Sequence, residues 1–316
     1  MRICCVSDTH LTVPELESAS LFPRQIAALP EKQGKEMYFG ILQEIAYAFG
    51  VCVQWLSENS PWDLLVHLGD VTGGWQEQGC SHPSARRLAE ETRDTLVKSA
   101  GARKIRFALG NHDMGYSSPI SLHEKGVNPD SVFACREIFG DFFWQEEGDG
   151  TCHIGVCSPI AEYKGAEPRI TKIRNEQAAF VGDVLSSHNG PWAFYTHNPF
   201  APKFFTREIK ERTGQLVNMV CGDFHNPRKG KIARMAANLI GIPFSSVAIQ
   251  CLKKCVVCPS TAPLWWQGYG LLALSENKGK ITTKEINLES PILGGIKIPT
   301  SSFWRCLWWI LRNNKR

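Results

Sequence analysis

The 316-residue sequence lacks an apolar run long and clean enough to cross a membrane as a helix, which takes ~20 residues. It shows no cleavable signal peptide either: Met1 leads straight into the β-type run Ile3-Cys4-Cys5-Val6. These absences predict a soluble or peripheral protein of the cytoplasm, with its 12 cysteines kept as reduced thiols. A second Cys-x-x-Cys is missing. Cys255-Val256-Val257-Cys258, with Cys251 upstream, therefore reads as buried apolar cysteines rather than a zinc knuckle or redox pair. Acidic residues are absent from two stretches. None lies between Asp223 and Glu276, where Arg228, Lys229, Lys231, Arg234, Lys253 and Lys254 all occur, and none follows Glu289. No internal repeat or low-complexity tract is present, so nothing points to a repeat array. The net charge of +4 is mild and does not by itself argue for a nucleic-acid partner.

What is there alternates. The candidate strands are Arg2–Val6, Leu64–Leu68, Ile105–Leu109, His153–Cys157, Trp192–Tyr195 and Val217–Cys221. Met37–Leu56 reads as a helix with an apolar stripe at Phe39, Leu42, Ile45, Ala46, Phe49 and Val53, and Ser84–Ser99 and Arg174–Leu185 read as two more. Strand–helix alternation predicts an α/β fold. After Gly270 the pattern becomes two paired strands, Leu271–Leu274 and Ile281–Ile286, joined by Glu276-Asn277-Lys278-Gly279 as a turn.

Five short motifs close the strands: Asp8-Thr9-His10, Gly69-Asp70, Gly110-Asn111-His112-Asp113, Thr196-His197 and Gly222-Asp223-Phe224-His225. They gather carboxylates, an amide and imidazoles, which are ligands for divalent metals. In an extended segment residues i and i+2 point the same way, so Asp8 with His10, and Asp223 with His225, can each face one ion. The glycines before Asp70 and Asn111 let the backbone turn sharply and present the side chain. Open α/β sheets place ligands at such strand ends. Converging carboxylates repel by ~4 kcal/mol for a pair at 4 Å and an effective dielectric of 20. Two divalent cations reverse that sign, and Asp70 is the carboxylate best placed to bridge them.

In this order the motifs resemble the calcineurin-like metallophosphoesterases, whose pattern is DxH, GD, GNH(D/E), a lone His and GHxH. The resemblance covers roughly residues 1–230. The stretch Ile173-Arg174-Asn175-Glu176-Gln177, followed by Thr196-His197-Asn198-Pro199, is similar to the family as well. It implies a two-sheet αββα sandwich over residues 1–289, with a dinuclear metal site at the strand ends, and leaves 290–316 as a basic Trp-rich tail. Asp8, His10 and His225 would hold the first metal, and Asn111, His197 and Asp223 the second. Asp70 would bridge them, and His112 would stand beside the leaving group, oriented by Asp113. The family usually has His where this chain has Asp223. The added negative charge favours Mn²⁺ or Mg²⁺ over Zn²⁺ at that position, and Mn²⁺ leads the cofactor expectation, with Fe, Zn²⁺ and Mg²⁺ as alternatives. An Asp223 that fails to reach the ion would leave the second site weaker.

The implied activity is hydrolysis of a phosphodiester or pyrophosphate bond by a hydroxide activated between two metals. A cyclic nucleotide is one candidate substrate, and a lipid-linked nucleotide pyrophosphate such as UDP-diacylglucosamine is another; nucleic acid ranks last. A non-catalytic binding scaffold on the same fold is the reading from another class. On a helix Trp304, Leu307, Trp308 and Leu311 form one stripe, with Arg305 and Arg312 on another face. That composition suits either an interfacial contact of residues 301–316 with the inner membrane face, or a terminal helix packed on the protein itself.

Overall fold

A computed structural model describes residues 1–11, 31–73, 78–115, 127–223, 231, 247–262, 270–288, 292–293 and 296–297, the side chains of 31–41, 44, 292–293 and 296–297 excepted. In chain order the elements are β1 (Arg2–Val6), α1 (Glu31–Glu58), β2 (Leu64–His67), α2 (Pro83–Ser99), β3 (Lys104–Phe107), α3 (Pro129–Phe139) and β4 (Trp144–Glu147). Next come β5 (Cys152–Gly155), α4 (Ser158–Ala161), α5 (Pro168–Ser187), β6 (Trp192–Thr196), α6 (Thr206–Ile209), β7 (Leu216–Cys221), α7 (Val247–Lys253) and β8 (Cys255–Val257). The chain then adds β9 (Gly270–Asn277), β10 (Lys280–Asn287), β11 (Ile292–Leu293) and β12 (Ile296–Lys297).

The strands form two five-stranded sheets. The first has the order β10-β9-β1-β2-β3, with β1, β2 and β3 parallel and β9 and β10 antiparallel. The second has the order β4-β5-β6-β7-β8 and is parallel except for β4. Parallel strands bring all their C-terminal ends to one edge of a sheet, so the segments that follow β1, β2, β3, β6 and β7 emerge on a common rim.

Alternation of side chains along each strand gives every sheet two faces. Ile3 and Cys5 of β1 pack with Val66, Leu272, Trp144, Tyr195 and Val220 between the sheets. Cys4 and Val6 pack with Leu56 of α1 and Leu96 of α2 on the outer side. Across the molecule Ile154, Phe194 and Met219 lie against Val181 and Leu185 of α5 and Cys251 of α7. The layers are therefore helix, sheet, sheet, helix. Strands covered on both faces read as unbroken apolar runs, which is why β1, β2 and β6 stand out in the sequence.

The expected strands match to within a few residues, and the helices run longer than read. Eight elements, α3, β4, α4, α6, α7, β8, β11 and β12, have no counterpart in the sequence reading. The β9–β10 turn is shorter than read: Lys278 and Gly279 alone turn the chain, at φ 47° and 75°, the primed geometry that suits strand twist. Glu276, read as part of that turn, is instead buried in β9, where its Oε2 lies 3.1 Å from His153 Nε2. Past residue 289, β11 and β12 pair as a short antiparallel ribbon. The described cysteines are all free and buried. Cys255 Sγ sits 3.3 Å from Cys221 Sγ, and Cys258 donates to Cys5 O, so both cysteines of the Cys-x-x-Cys belong to the core. Among the described residues no helix is long and apolar enough to cross a membrane. His225, the basic residues at 228, 229 and 234, and the tail 301–316 lie outside the described residues.

Candidate metal centre

The strands that carry the motifs end in left-handed backbone. Asp8, His10 and Asp70 have φ of 53°, 45° and 53°, and Asp223 has 42°. Among the described residues the one other non-glycine at positive φ is Lys278, in the hairpin turn. Such conformations cost an L-residue about 1–3 kcal/mol and persist where the surroundings enforce them. They also correct the extended i, i+2 geometry expected for Asp8 with His10. The turn instead brings Asp8 Oδ1 to 3.7 Å from His10 Nε2.

Neighbouring loops enforce these turns. Asp8 N donates to Gly69 O (3.0 Å), His10 N to Asp70 O (3.0 Å) and Leu11 N to Val71 O (3.1 Å), which zips the loop after β1 to the loop after β2. The segment after β8 closes over the same turn: Ser260 Oγ donates to Asp8 O at 3.1 Å, and Ala262 N to Asp8 O at 3.0 Å. Ser7 Oγ donates to Asp8 Oδ2. Gly110 is required by close approach, because a Cβ there would stand 2.8 Å from the Asp70 carboxyl carbon. Its place lets His112 N donate to Asp70 Oδ1 at 2.9 Å.

Asp113 is fully buried and holds backbone. Its Oδ1 accepts from Val71 N (2.9 Å) and Thr72 N (3.2 Å), and its Oδ2 from Gly110 N (3.1 Å). Burial and then the Asp70 charge push its carboxyl up to about 7, while the N–H donors of Gly110 and Thr72 pull it down. His112 Nδ1 has no hydrogen-bond partner among the described residues. Asp113 thus acts on the His112 ring through the loop rather than by a bond to it.

Four imidazole and carboxylate groups surround Asp70. Its Oδ2 lies 3.3 Å from His197 Nε2, 3.8 Å from His10 Nε2 and 3.9 Å from His112 Nε2. Two sets of possible ligands share it: His10, Asp70 and His112, and Asp8, Asp70 and His197. Asp223 Oδ1 stands 4.0 Å from His197 Nε2, with its side chain 24% exposed. Asn111 sits half-buried in the turn between Gly110 and His112. His197 Nδ1 donates to Leu68 O at 2.7 Å, which leaves Nε2 as the nitrogen with a lone pair. That Nε2 is buried and has no hydrogen-bond partner among the described residues.

The electrostatics agree with the geometry. Burial alone would push Asp70 up, but His197, His112 and His10 hold it well below the usual carboxylate range. Burial would push His197 down, yet Asp70, Asp8 and Asp223 drive it well up. The cluster carries excess negative charge in a buried place, and protons on imidazole are the only cations the described residues supply there. Hard oxygen donors, imidazoles with one nitrogen free and a shared carboxylate fit two divalent ions.

A family model described as calcineurin-like phosphoesterase matches residues 1–228. The chain belongs to the calcineurin-like phosphoesterase family. This phosphoesterase is a metal-dependent hydrolase acting on phosphoester bonds, its centre is dinuclear, and its substrate is a small phosphoester. The scaffold reading gives way to the enzyme reading. Two solved structures match over most of the chain. A dimetal phosphatase from Danio rerio shares 9% identity, with 91% of this chain and 96% of that chain covered and a TM-score of 0.49. GAP50, the anchor in the inner membrane complex of Plasmodium, shares 10% identity, with 98% and 93% covered and a TM-score of 0.45. No curated protein matches.

Several residues around the centre carried no motif signal. His67, read as a core or surface histidine, is buried directly behind the Gly69 turn; its Nδ1 accepts from Gly69 N at 3.2 Å and its Nε2 lies 3.3 Å from Thr9 Oγ1. Burial pushes it down to about 4, so it stays neutral. Glu162, just past α4, accepts from Asn198 Nδ2 at 2.5 Å, and Ser158 Oγ accepts from Asn198 N at 3.1 Å. These two bonds hold the loop that carries His197. Only Asn198 was visible beforehand, as a member of Thr196-His197-Asn198-Pro199.

Proposed function

We propose that this phosphoesterase hydrolyses a small phosphodiester or a pyrophosphate, a cyclic nucleotide first among the candidates. The observation that carries the reading is the convergence of His10, His112 and His197 on one buried carboxylate, Asp70. In it Asp8, His10 and His225 would hold one divalent ion, Asn111, His197 and Asp223 the other, and Asp70 would be shared by both, with Mn²⁺ the preferred metal. When bound, the ions supply a water that ionises near neutral pH and neutralise phosphoryl charge.

The remaining steps belong to side chains. His112, whose backbone N–H is tied to Asp70 Oδ1, keeps its ring at the more exposed edge of the cluster and donates a proton to the departing oxygen. Asp113 keeps that turn in register through three backbone N–H groups. Asp223, with its side chain 24% exposed, sets how tightly the second ion is held.

The test is an assay with Mn²⁺ and bis-p-nitrophenyl phosphate, followed by cyclic nucleotides and UDP-diacylglucosamine. Turnover of the diester and of a cyclic nucleotide, lost in Asp70→Ala and reduced roughly 10²-fold in His112→Ala, is the expected result. Turnover restricted to the lipid-linked pyrophosphate, with liposome binding lost on removal of residues 301–316, would favour the peripheral-membrane reading instead. Absence of all activity, or activity unchanged in both variants, would overturn the assignment.

A further inference from the structure

A second convergence of metal-binding side chains lies away from the catalytic centre. Glu147, Cys152 and His188 each offer a ligand atom, and these atoms lie within 4.8 Å of one another. Glu147 ends β4, Cys152 begins β5, and His188 caps the C-terminus of α5. Glu147 and Cys152 are direct partners across the antiparallel pair. His188 precedes β6, whereas His197 follows it, so the two clusters occupy opposite ends of the second sheet. We propose that Glu147, Cys152 and His188 bind a single Zn²⁺-type ion that ties the end of α5 to the β4–β5 turn.

Hydrogen bonds hold the three residues at one corner. One carbonyl, Pro191 O, accepts both Cys152 N–H (3.0 Å) and His188 Nε2–H (3.0 Å), and so fixes two of the three residues against each other. A histidine that donates one ring nitrogen to a carbonyl keeps its lone pair on the other, here Nδ1; metal-binding histidines are oriented in this way. The corner is braced on both sides of His188, because Arg212 donates to Leu185 O at 2.5 Å and to Gly190 O at 3.3 Å. Gly148 N donates to Thr151 O at 2.8 Å and closes the turn that joins Glu147 to Cys152.

The donor set decides the metal. Thiolate, imidazole and carboxylate together suit Zn²⁺, while the oxygen-rich catalytic cluster suits harder ions. Ligand atoms around one Zn²⁺ stand about 3.5 Å apart, so closing the set takes a movement of about 1 Å. Glu147 is exposed and Cys152 is fully buried, so the movement falls to the glutamate arm. Burial, with the Glu147 charge beside it, pushes the Cys152 thiol up to about 12.

Co²⁺ titration of the metal-stripped full chain tests the proposal. A thiolate–Co²⁺ charge-transfer band in the near ultraviolet is expected. The ligands proposed for the catalytic centre include no cysteine, so the band reports a cysteine site alone and persists in Asp70→Asn. Cys152→Ser abolishes it, and His188→Ala weakens Co²⁺ binding roughly tenfold or more. Should Cys152→Ser fail to fold, Glu147→Gln, at an exposed position, is expected to weaken binding with an unchanged far-ultraviolet dichroism spectrum. No band in the wild type, or a band unaltered by these substitutions, would overturn the site. Loss of the site leaves Mn²⁺-dependent phosphoesterase turnover in place, which separates this proposal from the catalytic assignment.

Discussion

The two sheets contribute unequally to the metal centre. On the side of the first sheet, Asp8, His10 and Asp70 are buried, set in left-handed turns and tied to one another by backbone hydrogen bonds. On the side of the second sheet, His197 is equally buried and anchored through Leu68 O, but Asp223 remains 24% exposed and stands 4.0 Å from His197. The lesson is that the first-sheet side is held by hydrogen bonds between its own loops, while the second-sheet side pairs one anchored ligand with one at a more exposed edge. Preorganised charge needs no rearrangement during reaction, and sites of that kind account for much of catalysis.

Substitutions on the first-sheet side should therefore do the most harm. Asp70→Ala removes the carboxylate on which three imidazoles converge, and turnover of bis-p-nitrophenyl phosphate should fall by roughly 10³-fold or more. Asp113→Ala strands three buried backbone N–H groups; the expected loss is about 3 kcal/mol or more, read as a lower midpoint in urea. On the second-sheet side, Asp223→His should change the Mn²⁺ concentration for half-maximal activity by roughly tenfold, with the folding midpoint unchanged, because metal affinity alone moves. The smallest effect is expected at the clamp. Ser260→Ala loses one hydrogen bond to Asp8 O, about 1 kcal/mol, so activity should fall only a few-fold. Equal sensitivity at Asp70 and Asp223 would erase the contrast between the halves.

The same contrast explains what the sequence makes legible. Each ligand on the first-sheet side sits in a run where strand, turn and chemistry are contiguous, as in Val6-Ser7-Asp8-Thr9-His10, so the fold and the site announce themselves together. What escapes is whatever depends on a distant partner. β4 reads as polar because it contains Glu146 and Glu147, yet Glu146 is neutralised by Arg106 (2.6 Å) and Lys104 from β3. β8 is only three residues long and follows an acid-free stretch with no other strand signal. Ser260 reaches Asp8 across more than two hundred residues of chain, with nothing local to mark it. Periodicity also misled in one respect: residues two apart suggested an extended ligand pair, whereas left-handed turns at Asp8 and His10 are what bring their side chains together. Glu147, Cys152 and His188 were individually unremarkable for the same reason, since three separate elements bring them to one corner.

The central claim is a dinuclear centre bridged by Asp70, and a Mn²⁺ titration of the metal-stripped chain, followed by activity and metal content together, tests it most directly. The account predicts that activity follows the filling of two Mn²⁺ equivalents and that Asp70→Ala retains neither the pair nor the turnover. Full activity at a single equivalent, or an undiminished pair in Asp70→Ala, would contradict it.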